Sequence, residues 1–137
     1  MATFNKIDQF VEDLAHQVHG FDTDQITIAL TAAANAPVAT NSVLADLTEI
    51  AYTNLSSRDV TTASSGQTSG TYSLVLTDHT LTASGAVATF RYVVHYNNTP
   101  ATPLDPLIQW YDHGSDVTLA DSETYDIDYG ASFFTLA

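Results

Sequence analysis

Five histidines, sixteen carboxylates and no cysteine make up the reactive inventory of this 137-residue sequence. His16 and His19 stand three apart, with Glu12 one helical turn before His16, a spacing that can place zinc ligands on one helix face. Two imidazoles leave a catalytic zinc short of its third ligand, so the pair is read as solvated side chains on a polar face. Asp126 and Asp128 alternate onto one side of a strand, and Asp22 and Asp24 flank a loop; either pair offers hard oxygens to calcium. Neither fits the long carboxylate-Gly-Glu loop of an EF-hand. An exposed acidic strand face and a helix-terminating loop are the expected readings.

The sequence holds no serine in a Gly-x-Ser-x-Gly frame, and Asp78-His79 has no assigned nucleophile beside it. A carboxylate pair for glycoside hydrolysis could be drawn from Asp112, Asp116, Asp121 or Glu123, but carboxylates at turns are ordinary in an acidic β protein. Gly66, Gly70 and Gly85 are too widely spaced to cradle a phosphate, and no lysine follows them. The expectation is therefore a protein that is not an enzyme, with no cofactor and no metal. Trp110, with Tyr111, Tyr92 and Tyr96, could form an aromatic platform for a carbohydrate or peptide, although strand aromatics at period two are more often core.

Charge narrows the choice of partner. Only Lys6, Arg58 and Arg91 oppose the carboxylates, leaving a formal net charge of -13. Almost no cation is left to neutralise phosphates, so direct nucleic-acid binding is not expected. Self-repulsion keeps copies apart in solution and favours a partner surface of positive charge. Asp8, Glu12 and Asp13 interrupt the first twenty residues, which read neither as a signal peptide nor as a membrane span, so a cytoplasmic protein is expected.

The elements that would position these residues follow from periodicity. Phe4, Ile7, Val11, Leu14 and Val18 recur at three- and four-residue steps, which predicts an amphipathic helix over 3–19, stopped by Gly20. Ile26, Ile28 and Leu30 then alternate at period two, opening a β region over 23–137. A second short helix is expected around Val43 to Ile50, and a loop over Ser56 to Gly70 with Val60-Thr61-Thr62 as a short edge strand. Strands are expected at Tyr72 to Thr77 and at Phe90 to Tyr96, the latter central in its sheet. Four more are expected at 107–112, 117–119, 124–129 and 133–136, with His113 to Asp116 as a turn. One mainly β domain follows, a two-sheet antiparallel sandwich or barrel-like roll with an N-terminal amphipathic α-helix.

The order and wording of these segments resemble a family of small virion proteins of tailed bacteriophages, the head decoration or cement proteins with a jelly-roll-like fold. The likeness rests on Ala2-Thr3-Phe4-Asn5-Lys6 leading into Phe10-Val11-Glu12-Asp13-Leu14-Ala15, on Pro37-Val38-Ala39-Thr40-Asn41, and on Gln67-Thr68-Ser69-Gly70-Thr71-Tyr72. It continues through Phe90-Arg91-Tyr92-Val93-Val94 with Tyr96-Asn97, then Pro106-Leu107-Ile108 with Trp110-Tyr111-Asp112-His113-Gly114-Ser115. The resemblance implies a jelly-roll-like sandwich on the outside of an assembled capsid, bridging neighbouring major capsid proteins as a homo-oligomer, dimer or trimer, with no cofactor. It implies a place on the virion exterior, after a stay in the host cytoplasm during assembly. Candidate interface residues are Phe4, Ile7, Val11, Leu14 and Val18, the loops around Pro37 and Asn97, and Trp110. A tail or tail-associated structural protein, and a carbohydrate or host-surface binding module using Trp110, are the alternatives. Whether the helix packs on its own sandwich or on a neighbour stays open.

Overall fold

Runs of β-branched and aromatic residues become strands, and the runs without alternation become the central ones. The computed structural model describes residues 2–137. In chain order the strands are β1 (Asn5–Lys6), β2 (Ile26–Thr31), β3 (Asp59–Val60), β4 (Thr62–Thr68) and β5 (Thr71–Leu76). They continue as β6 (His79–Thr82), β7 (Phe90–Asn97), β8 (Leu107–Val117), β9 (Thr124–Ile127) and β10 (Phe134–Leu136), with helix α1 (Gln9–Ala15) between β1 and β2. Every strand pairing is antiparallel: a five-stranded sheet ordered β1-β8-β7-β2-β3, a three-stranded sheet β10-β5-β4, and the pair β6-β9.

β7 sits between β8 and β2, the central position expected for it. All six residues of β2 and the run Val93 to Asn97 of β7 are buried, so both faces of this sheet are covered. Strands covered on both faces have no solvent side, so their polar residues, Thr27, Thr31, His95 and Asn97, are buried along with the apolar ones. Leu74, Leu76, Leu81 and Ile127 from the smaller sheets join Ile28, Leu30, Val93 and Leu107 in one hydrophobic cluster. Leu44, Leu47, Ile50, Tyr52 and Leu55, from the long connection between β2 and β3, pack against it half-buried.

The N-terminal helix is shorter than the periodicity predicts and is rotated. Asn5 and Lys6 pair with Trp110 and Gln109 of β8 instead of coiling, and the Ile7 amide donates to the Ile108 carbonyl at 3.1 Å. The extended start resets the helical phase. Phe10 and Asp13 face inward, while Val11 is 51% exposed. Gln17, at φ 61, turns the chain out of the helix, so the stop comes before Gly20. The helix packs on its own sheets: Phe10 lies 5.5 Å from Phe134 and 6.0 Å from Phe21, ring centre to ring centre.

Three further expectations need correction. The second helix shrinks to a single 3-10 turn at Leu44–Asp46. The Ser/Thr/Gly-rich loop is instead β4, joined to β5 by a two-residue turn. Ser69 (φ 51) and Gly70 (φ 83) both lie in the left-handed region, as the tight turns favoured in hairpins require. The segment His113 to Asp116 is no turn: Phe90 pairs with Val117 and Tyr92 with Asp112, so four residues bulge opposite Arg91 within one long strand. Gly114, at φ 92, supplies the conformation this bulge needs.

Candidate functional site

The most polar group of the interior is built by the central strands. His95 on β7 faces Gln109 on β8, and both are wholly buried. Gln109 Nε2 donates to His95 Nδ1 at 2.6 Å, which leaves Nε2–H to donate to the Tyr129 hydroxyl at 2.7 Å. The ring is packed edge-on by Tyr111 at 5.5 Å and Tyr129 at 5.3 Å, with Phe133 at 5.0 Å. Burial, with a smaller push from His79, drives the His95 pKa down to about 3, so the ring is neutral at pH 7. Burial also raises the Tyr129 hydroxyl far above its usual range. No open cleft includes this trio, and its neutral hydrogen bonds tie β7, β8 and the segment after β9 together.

A second polar knot joins the segment after helix α1 to the sheet. Asp24 Oδ2 accepts from the Gly20 amide at 2.7 Å and from Asn97 Nδ2 at 2.6 Å; Asn97 Nδ2 also reaches His19 Nδ1 at 3.0 Å. His19 stacks on Phe21 at 4.9 Å, and its burial lowers its pKa, partly opposed by Asp13 and Asp24. Asp13, a carboxylate within helix α1, is only 3% exposed; Gln9 Nε2 donates to its Oδ1, and its Oδ2 has no partner.

The second knot separates the two histidines whose spacing could have placed them on one helix face. His16 is exposed and pairs with Glu12 at 3.5 Å, while His19 turns inward to Asn97. Among the described residues no three His, Cys, Asp or Glu side chains converge as metal ligands. Asp78 accepts from the Tyr129 amide at 2.9 Å, and Glu123 closes its own turn by accepting from the Ala120 amide at 2.7 Å. Asp112 takes a two-pronged bond from Arg91, at 2.8 and 3.1 Å, which holds its carboxyl below the usual range. Arg58 lies 3.9 Å from Glu49 and 3.7 Å from the centre of the Tyr52 ring. Lys6 is left as the one cation outside an ion pair among the described residues.

Of the interface candidates, the side chains of Ile7, Pro37 and Asn97 are buried, while Val38 and Asn98, next to the latter two, are exposed. Ile7 ends the stretch laid along β8; Asn97 is the last residue of β7, not a loop residue. Phe4, Leu14, Val18 and Trp110 are half-buried, and Phe4 packs on Phe133 at 5.5 Å. Val11 alone of the stripe stands out in solvent. Side chains of directly paired residues share a sheet face. The register of Val94 with Trp110 and of Val93 with Tyr111 therefore puts Trp110, Tyr92 and Tyr96 on one face and Tyr111 on the other, which divides the expected aromatic platform.

Four surface clefts stand out, one of them, about 180 Å³, lined by Val38, Asn41 and Leu47. Another, of about 390 Å³, runs between Leu14, Phe21, Tyr72 and Leu136. A smaller one of about 210 Å³ brings Asp126 and Asp128 together with Tyr111, His113 and Tyr125. The fourth, about 380 Å³, lies between the 3-10 turn and Leu104, lined by Leu44, Leu47, Glu49 and Asp105. Sequence reasoning missed this last one. Its walls lie far apart in the chain and are joined by the Leu44 amide donating to the Asp105 carbonyl at 3.0 Å and by a bridge from Val43 to Pro106. The lone signal in the sequence was Leu104, a bare leucine between breakers. No family model, no curated protein and no solved structure matches the chain.

Proposed function

We propose that the chain is a virion structural protein: a decoration or cement protein that binds the outside of an assembled phage head as a jelly-roll-like sandwich and bridges neighbouring major capsid proteins. The observation that carries this reading is the placing of its exposed apolar residues. Val38 and Leu104 stand out at 51% and 66% exposure, and each flanks a cleft that includes Leu47. Exposed apolar side chains beside clefts, on a surface otherwise rich in carboxylates, favour a contact site over a merely soluble face. Binding the assembled shell and not its free subunits stabilises the shell by mass action, and repetition over a lattice turns weak contacts into avidity. The wholly buried His95 trio and the long β8-β7-β2 ladder make the scaffold rigid, so little ordering cost opposes docking.

The cleft of Tyr111, Tyr125, Asp126 and Asp128 favours a second reading, a carbohydrate-binding module, because aromatic faces beside carboxylate acceptors suit sugar rings and hydroxyls. Co-sedimentation separates the readings. Purified protein mixed with phage heads that lack it is expected to pellet with them at a fixed ratio and to stay in solution with isolated tails. Pelleting with tails would move the protein to the tail. Retention on glycan-coated beads with none on heads would favour the carbohydrate reading.

A further inference from the structure

We propose that the groove between the Leu44–Asp46 turn and Leu104 receives a segment of a partner protein in which an apolar side chain stands next to a lysine or arginine. This rests on the reading of the chain as a protein that acts through its surface, and it names the chemistry that surface meets. Leu104 is 66% exposed at the groove's edge, opposite Leu44 and Leu47. A leucine so exposed gains nothing from folding, whereas an apolar side chain seated between the three would remove all of them from water. The walls are preformed: the Leu44 amide bonds the Asp105 carbonyl at 3.0 Å and the Leu107 amide bonds the Ser42 carbonyl at 3.0 Å.

The charge of the occupant follows from Asp105. Asp105 lines the groove, and among the described residues no lysine, arginine or histidine lies within ion-pair distance of its carboxylate. Arg58 sits by Glu49, so the groove's other carboxylate is already partly compensated and Asp105 is the one left wanting. A lysine or arginine beside the seated apolar residue would pair with the Asp105 carboxylate in a charge-assisted contact.

A second copy of this chain is a poor occupant. Each copy carries a net charge of -13 from sixteen carboxylates and three cations. Arg58 and Arg91 are held by their own Glu49 and Asp112. Like-charged surfaces repel and slow association, so a basic partner is selected over a copy.

The test is a titration of the full, isotope-labelled chain, followed by amide chemical shifts, with an acetylated and amidated Lys-Leu-Lys-Leu peptide and its Gln-Leu-Gln-Leu counterpart. Saturable shifts confined to residues 42–49 and 104–107 are expected with the lysine peptide, and binding about tenfold weaker with the glutamine one, the ratio for one charge-assisted contact. Leu104→Ser should abolish the shifts. Asp105→Asn, which tolerates the left-handed backbone at φ 49, should bring the two peptides to equal affinity. Equal affinity in the unaltered chain, or shifts spread over the acidic surface without saturation, would overturn the proposal. So would a dimer in sedimentation equilibrium that Leu104→Ser dissolves, since the occupant would then be a second copy. The titration uses the isolated chain, so its failure leaves co-sedimentation with heads to be judged on its own result.

Discussion

Lowering the pH from 7 to 4 is expected to remove about 3 kcal/mol of folding stability through His95 alone. In the folded chain burial holds the His95 pKa at about 3. In the unfolded chain the ring titrates near the ordinary value of about 6.5. The unfolded state therefore takes up the proton first. The contribution is fully present above about pH 6.5 and is lost at about 1.4 kcal/mol per unit as the pH falls toward the folded value. His19 acts in the same direction, because burial lowers its pKa as well. Relief of repulsion among sixteen carboxylates opposes both only once those groups begin to take up protons, nearer pH 4. Urea midpoints read by the fluorescence of Trp110, the single tryptophan, at each pH unit would give the slope. His95→Gln keeps an amide between Gln109 and Tyr129 but cannot titrate, so its stability should fall much less steeply from pH 6.5 to 5, with only the slope owed to His19 left. A variant as steep as the unaltered chain would show that His95 is not the group responsible.

Phe133→Ala should lower stability by about 3–5 kcal/mol, a large share of what a domain of this size possesses. Phe133 is 4% exposed and touches four rings, Phe4, His95, Tyr129 and Phe134, at centre distances of 5.0 to 5.7 Å. Its amide also bonds the Leu74 carbonyl at 2.7 Å, where the C-terminal strand joins its sheet. Removing the ring leaves a cavity that Phe4, His95 and Tyr129 all border, and their own anchors limit collapse into it. Val11→Ala, at an exposed position on α1, should change stability by no more than about 0.5 kcal/mol. Chemical denaturation of both variants decides the matter. A loss below about 1.5 kcal/mol for Phe133→Ala would mean that the aromatic cluster is not closely packed.

The strands with strong side-chain signals were readable in advance. Phe90 to Tyr96 and Ile26 to Leu30 are rich in β-branched, aromatic and aliphatic residues, and they form the middle of the large sheet. The hairpin of β4 and β5 was not readable, because Thr-Ala-Ser-Ser-Gly-Gln-Thr owes its extended form to pairing with Tyr72, Leu74 and Leu76 and not to propensity. The N-terminal helix shows the limit of counting in threes and fours. Phe4, Ile7 and Val11 fit the period, but Phe4 and Ile7 belong to an extended segment hydrogen-bonded along β8, and a period cannot reveal where its own phase breaks. Phe10 and Asp13 are buried as a result, and Asp13 is the residue a polar-face reading would place last in a core.

The site was less legible than the fold, for the same reason. The groove at Leu104 is a meeting of residues 43–49 with residues 104–106, and nothing in either stretch names the other. Asp126 and Asp128 do share a side, as period two predicts, yet the cleft they enter is completed by Tyr111 and His113 from β8. Asn97, in a breaker-rich stretch that reads as a loop, is held inside by Asp24 and His19.

The central claim is that this molecule stabilises a larger assembly by occupying its surface, with no reaction involved. The direct measurement is the temperature at which heads release their contents, taken on shells lacking the protein and on the same shells after it is added back in excess. The account predicts a higher release temperature with the protein present, and loss of the increment when Leu104→Ser is added instead. An identical release temperature for bare and saturated shells would contradict it.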